Sequence, residues 1–292
     1  MACDALVRGA SGMEAGSVAE LRAAVADLGI RILDAQPAMA SLVALVAEVL
    51  DAVGGAGDVA SARAAAQGAA RAFQEGLRSR APLLAERTAA LLPDDAVVLT
   101  LSSSSSVRDA LFHRSRLRPV EVLVLESRPL REGQRMAAEL ARAGIPVTVA
   151  VDAAAATLAR RCSTVLLGAD SVGDLGVVNK LGSAAAALAG RRAGIPVVVS
   201  ADGTKILPPG LPQDVADDRP PEEVMHAPAG VRVWNRYFEA VPLEDLTRVV
   251  TEAGAFSPAE LAGRRAGMRV PDEVRAWAER RRRNHPDGRR PL

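Results

Sequence analysis

Cysteine, histidine, lysine and aromatic side chains are all scarce in this chain of 292 residues. Two cysteines, Cys3 and Cys162, give no disulfide framework and no metal-ligand spacing. The three histidines, His113, His226 and His285, are scattered and pair with no cysteine, so no metal or other cofactor is expected. The longest uncharged, mostly apolar stretch covers residues 35–47, short of the roughly 18 residues that suggest a membrane span. The opening Met1-Ala2-Cys3-Asp4 lacks a basic n-region and a long apolar run, so no signal peptide is expected. Apolar residues are 49% and charged residues 24%, which excludes wholesale disorder. Together these absences predict a cytoplasmic, metal-free globular protein, long enough to bury a sizeable core unaided.

Lysine is the scarcest cation. Of 36 basic residues only Lys180 and Lys205 are lysine. A compact ammonium does what a planar guanidinium cannot, so both positions are functional candidates. Net charge is +1 but unevenly spread. Residues 264–292 hold ten arginines against four acids, leaving a body of −5. An acidic body disfavours a nucleic-acid face. The basic tail, with Arg280 to Arg283 in a row, is expected to be a solvated, frayed end; contact with RNA or an acidic partner is the alternative.

The first ninety residues read as helical, over 14–28, 37–53 and 58–92, from apolar spacings of three and four. Pro37 suits a first turn, Asp58 an N-cap, and Pro82 is expected to split the third segment. From residue 93 the pattern changes. Short β-branched runs at 97–101, 120–126, 147–151, 164–169 and 197–201 alternate with helical stretches at 107–116, 132–143, 153–161 and 182–193. This predicts an α/β protein: an N-terminal helical domain (1–92), a Rossmann-like, mostly parallel sheet with helices on both faces (93–262), and a basic tail (263–292). No G-x-G-x-x-G follows the first strand, so a dinucleotide fingerprint is absent. The proline-rich stretch 208–228 reads as a flap. Trp234, Tyr237 and Phe238, three of only seven aromatics, are expected to anchor packing in the core or a dimer contact.

Ligands of open α/β sheets bind beyond the carboxyl ends of the strands. Those ends carry Ser102 to Ser106, Glu126 and Arg128, Asp152, Asp170, Asn179 with Lys180, and Lys205. Free N–H groups and hydroxyls at a helix start suit an anion. An ammonium suits phosphate, and Asp170 suits a general base or a turn cap. This set predicts a small phosphorylated ligand. Arg8, flanked by Gly9 and Ala10, reads as a loop before a helix that can also hold phosphate.

In order along the chain, Glu126-Ser-Arg-Pro-Leu-Arg-Glu-Gly133, Gly144-Ile-Pro-Val-Thr148, Gly168-Ala-Asp-Ser-Val172, Val178-Asn-Lys-Leu-Gly-Ser183 and Asn235-Arg-Tyr-Phe238 form a specific set. With them, the chain resembles the superfamily of initiation factor 2B alpha, beta and delta subunits, ribose-1,5-bisphosphate isomerase and methylthioribose-1-phosphate isomerase, to about residue 260. The resemblance implies homodimers or multiples of dimers. It implies phosphate binding through Arg8-Gly9-Ala10, Arg63 and the Asn179–Lys180 pair, and catalysis by Asp170. Two positions depart from the isomerases: Ser102 stands where they carry a catalytic cysteine, and Glu132 where they usually carry glutamine. A serine hydroxyl is a far weaker acid than a thiol. Glu132 is expected to repel a phosphate or bind a hydroxyl. Two functions follow. One is aldose-to-ketose isomerisation of a phosphorylated pentose such as ribose-1,5-bisphosphate. The other is a non-catalytic sugar-phosphate or nucleotide binder resembling the translation-factor subunits. Nucleotide exchange on a translation factor ranks last, with only the basic tail in its favour.

Overall fold

The computed structural model describes residues 2–37, 39–215 and 218–284. Its first ninety residues form four helices: α1 (Ala2–Gly12), α2 (Val18–Ala35), α3 (Ala40–Gly54) and α4 (Val59–Ala90). Ser17 caps α2 by accepting from the Glu20 N–H, and Asp58 and Ser61 make a reciprocal capping box at the start of α4. Pro82 does not split α4, contrary to expectation. Phe73 before it and Leu84 and Ala85 after it are buried, so packing on both sides outweighs the one backbone bond that proline forfeits. The expected loop at residues 8–10 is also corrected, because these residues belong to α1. Gly9 is there for packing: a Cβ on it would lie 2.3 Å from the Leu28 side chain of α2.

The α/β part runs β1 (Ala96–Leu101), α5 (Ser105–Leu117), β2 (Val120–Leu125), α6 (Glu132–Arg142), β3 (Val147–Ala150), α7 (Ala155–Ala159), β4 (Thr164–Leu167), β5 (Ser171–Gly173), β6 (Gly176–Lys180), α8 (Ser183–Ala193), β7 (Val197–Ser200), β8 (Phe238–Val241), β9 (Arg248–Thr251) and β10 (Gly254–Phe256). Seven strands make one sheet in the order β10-β9-β7-β4-β1-β2-β3, parallel except for β10. All five expected strands lie in it. Leu99, Leu123 and Val165 enter the core on one face, and Val98, Val122 and Leu166 on the other, which is why β1, β2 and β4 read as apolar throughout, whereas the edge strand β3 is half-exposed. A second, antiparallel sheet of order β5-β6-β8 was not foreseen. Its turn is the Gly173–Gly176 corner, with Gly176 at φ +100°.

The chain ends in α9 (Pro258–Ala266) and α10 (Asp272–Asn284). The expectation of a frayed tail is overturned up to residue 284. Val274, Trp277 and Ala278 are buried in the same core as α2, α3 and α4. Trp277 Nε1 donates to Asp34 at 2.8 Å, Arg22 grips Glu273 at 2.6 Å, and Arg281 pairs with Asp34 and Asp214. Arg280, Arg282 and Arg283 remain exposed, while His285 lies outside the described residues. No described helix is long and apolar enough to cross a membrane.

Trp277→Ala is expected to lower unfolding stability by about 3–5 kcal/mol, the cost of emptying a buried aromatic site, with a matching fall in the urea midpoint. An unchanged midpoint would show that α10 lies outside the cooperative core.

Candidate functional site

The sheet reverses its winding between β1 and β4. The chain leaves β1 toward β2 and β3, then crosses back to lay β4 on the other side of β1. A crevice opens at such a point beyond the carboxyl ends of the two strands. Ser102 follows β1 there, and Gly168-Ala169-Asp170 follows β4.

The crevice is built tightly. Ser102 sits at φ +60° and Ser127 at φ +65°, both left-handed, and the Ser102 N–H donates to the Ser127 hydroxyl at 2.6 Å. The Asp152 carboxylate accepts from the N–H groups of Ser127 and Arg128, each at 2.7 Å, which fixes the loop after β2. Gly133 lets α6 start directly against β2, since a Cβ on it would lie 2.0 Å from the Leu125 carbonyl. That contact aims Glu132, the first residue of α6, across the crevice. Around Gly168 the two halves converge: a Cβ there would lie 2.5 Å from Ser104 Oγ and 3.8 Å from Asn179 Oδ1.

The Asn-Lys pair at the end of β6 divides its work, because neighbouring residues leave opposite faces of a strand. Asn179 is buried and donates to Ser183 Oγ at 2.8 Å. Lys180 is buried too and donates to Glu132 Oε1 at 2.8 Å, with the Tyr237 ring centre 4.5 Å from its ammonium. Tyr237 donates to Glu223 Oε1 at 2.6 Å and is covered by the Arg219 guanidinium. Burial, with the hydrogen bond to Glu223 adding to it, pushes the Tyr237 hydroxyl up to about 12. Asp170 is half-buried. Burial raises its pKa above the ordinary aspartate range, while the Lys205 and Lys180 ammoniums pull it back. Lys205 donates to the Ala169 carbonyl at 2.7 Å.

Thus Lys180 joins Glu132 and lies within electrostatic reach of Asp170, Asn179 stands near Gly168, and Ser102 follows β1, the strand beside β4. The arginine arm is less joined to them. Arg63 of α4 donates to the Met13 carbonyl just past α1, whereas Arg8 is exposed on α1, Gly9 packs on α2, and the Ala10 side chain lies outside the described residues. The link between the helices and the site is the start of α3, where the Ala40 N–H donates to the Asp170 carbonyl at 3.4 Å. Sequence reasoning missed Tyr237, Glu223 and Arg219. It read the aromatic cluster as an anchor for the core or a dimer contact; Tyr237 covers the buried lysine, and Trp234, 48% exposed, is not a core residue. The surviving signal was the proximity of the single tyrosine to Asn235, which holds both Glu223 and the Pro220 carbonyl. Among the described residues no group of histidine, cysteine and carboxylates is placed to hold a metal.

A carboxylate whose pKa rises on folding destabilises the fold as pH climbs past its unfolded value. Asp170→Asn is therefore expected to raise Tm at pH 8. The gain should disappear below the unfolded pKa, near pH ~3.9, where the wild-type carboxyl is protonated anyway. A mutant with a lower Tm at pH 8 would mean that the charged form is the one the fold prefers.

The family model described as the initiation factor 2 subunit family matches residues 1–258. The 5-deoxyribose 1-phosphate isomerase of Moorella thermoacetica is 31% identical over 268 residues, covering 84% of this chain and 75% of that protein. The methylthioribose-1-phosphate isomerase of Gemmatimonas aurantiaca is 34% identical over 194 residues, 60% of this chain and 56% of that enzyme, so the match spans little more than half of it. Among solved structures, the translation initiation factor eIF-2B of Pyrococcus horikoshii OT3 superposes with a TM-score of 0.75 at 28% identity, covering 88% of this chain and 89% of that one. With the fold and the ordered motifs already in place, these matches make the chain a member of the initiation factor 2 subunit family.

Proposed function

We propose that this protein is a sugar-phosphate isomerase that converts a phosphorylated aldopentose into its ketose. The carrying observation is the position of Asp170, a half-buried carboxyl with a raised pKa that feels two lysine ammoniums and follows β4 at the sheet's switch point, next to β1, which leads into Ser102. The names of the isomerase relatives support the same chemistry.

For a cyclic aldose 1-phosphate the ring oxygen gains a proton as its bond to C1 breaks. Hydrogen moves from C2 to C1, and the C2 hydroxyl loses its proton as it becomes the carbonyl. Asp170 is suited to that last proton, because burial brings its pKa toward the working range of a general base. Ser102 offers a hydroxyl to the ring oxygen from a backbone held rigid by Ser127. Among the described residues the Ser102 hydroxyl itself makes no hydrogen bond, which leaves it available to a ligand. Asn179, Lys180 and Glu132 are proposed to contact the sugar and its phosphate, with Arg63 and Arg8 adding charge from the helices. Assembly as a homodimer or a multiple of dimers is part of the same proposal.

A second reading is a non-catalytic binder of the same ligands. Ser102 favours it, since an alcohol without an activating histidine is a poor acid.

Phosphorus NMR of the protein with ribose-1,5-bisphosphate, 5-deoxyribose 1-phosphate and methylthioribose-1-phosphate separates the two. Isomerase activity is expected, with turnover reduced by about 10²–10⁴-fold in Asp170→Asn, the usual loss of a general base, and reduced less in Ser102→Ala. Ligand signals that broaden without product would instead support the binder.

A further inference from the structure

Lys180 is the cation most deeply set in the crevice, with its side chain only 5% exposed. Its charge is already spoken for. Glu132 Oε1 stands 2.8 Å from the ammonium, and the Tyr237 ring closes another side. Glu132 itself is half satisfied: its second oxygen, Oε2, is buried with no hydrogen-bond partner. A buried carboxylate oxygen without a donor is an unmet demand. A sugar hydroxyl meets it by donating; a phosphate brings only acceptors and more negative charge.

The wider charge count agrees. The cations around this point are Lys180, Lys205 and Arg219. They are matched by three carboxylates, Glu132, Asp170 and Glu223, each of which lies within electrostatic reach of Lys180 or bonds a neighbour of it. A second phosphate at this point needs a surplus of positive charge that Lys180, Lys205 and Arg219 do not supply; the cations proposed to meet the single phosphate, Arg8 and Arg63, belong to the helices. The close approach of Gly133 to the Leu125 carbonyl keeps the Glu132 backbone beside the crevice, and the Lys180 ammonium holds one oxygen of its carboxylate.

We infer that Glu132 is the specificity-determining residue of the site, selecting a sugar with one phosphate and a hydroxyl facing Glu132 Oε2, and rejecting a bisphosphate that competes for Lys180. This rests on the proposal that the crevice binds sugar phosphates, and it narrows that class to monophosphates.

Ribose 1-phosphate and ribose 1,5-bisphosphate are a matched pair of probes, differing only by a hydroxyl or a phosphate at C5. Calorimetric titration of the wild-type protein should give at least ten-fold tighter binding of the monophosphate. Glu132→Gln keeps the side chain's shape, removes its charge and frees Lys180, so the preference should shift toward the bisphosphate by ten-fold or more. A wild-type preference for the bisphosphate overturns the inference even if Glu132→Gln fails to fold. So does a ratio that Glu132→Gln leaves unchanged. In both cases sugar-phosphate binding stands. If neither probe binds wild type or variant, the sugar-phosphate reading falls together with the inference.

Discussion

An ammonium removed from water must find compensation nearby, and the Lys180 ammonium finds it in a carboxylate and an aromatic face. Glu132 reaches it from the first residue of α6, Tyr237 from the segment before β8, and Arg219 and Glu223 steady that tyrosine from the strap between β7 and β8. None of these segments is adjacent to β6 in sequence. Breaking a buried pair by deleting one partner typically costs about 3–5 kcal/mol, because the other charge is left stranded. The same demand that stabilises the crevice therefore also holds the α6 start, the small sheet and the strap in mutual register. Arg128 extends the fastening by donating to the Val224 carbonyl.

What was legible in the sequence follows from how locally each feature is encoded. Doubly buried parallel strands must be apolar on both faces, so β1, β2, β4 and β7 could be read from short β-branched runs alone, and the edge strand β3 shares the β-branched run though it is half-exposed. The residues just after such strands inherit a fixed address, so Ser102 and Asp170 could be assigned to one edge from chain order, and Lys180 and Glu132 from the ordered motifs. The antiparallel sheet was hidden because β5 has only three residues and its pairing depends on a corner glycine. Pro82 and the Arg8 segment misled for the same reason: local preference pointed one way and tertiary packing the other. A tyrosine on a lysine carries no signal in spacing at all, since its partners come from strands and loops far along the chain.

The two ends of the chain are part of one core. α10 returns to α2 and α3, and its charged residues are used in pairs: Arg22 with Glu273, and Arg281 with Asp34 and Asp214. The four-arginine run thus mixes a docked side chain with exposed ones. Arg265 adds a further tie, donating to the Leu207 carbonyl from α9, near the start of the segment that becomes the strap. The C-terminal helices therefore brace the far side of the same loop region whose other end covers Lys180.

Among the described residues three that are not glycine, Ser102, Ser127 and Arg131, hold left-handed backbone, and all three follow β1 or β2 at the crevice rim. For an L-residue that conformation costs roughly 1–2 kcal/mol. A glycine at any of them would relieve the backbone, yet at 102 it would remove the hydroxyl and at 127 the acceptor that positions it. Selection for durability alone would drift these positions toward glycine. Their present identities mark the rim as a place where the chain gives up folding energy to keep particular atoms on display, and engineering for thermal robustness should begin elsewhere in the fold.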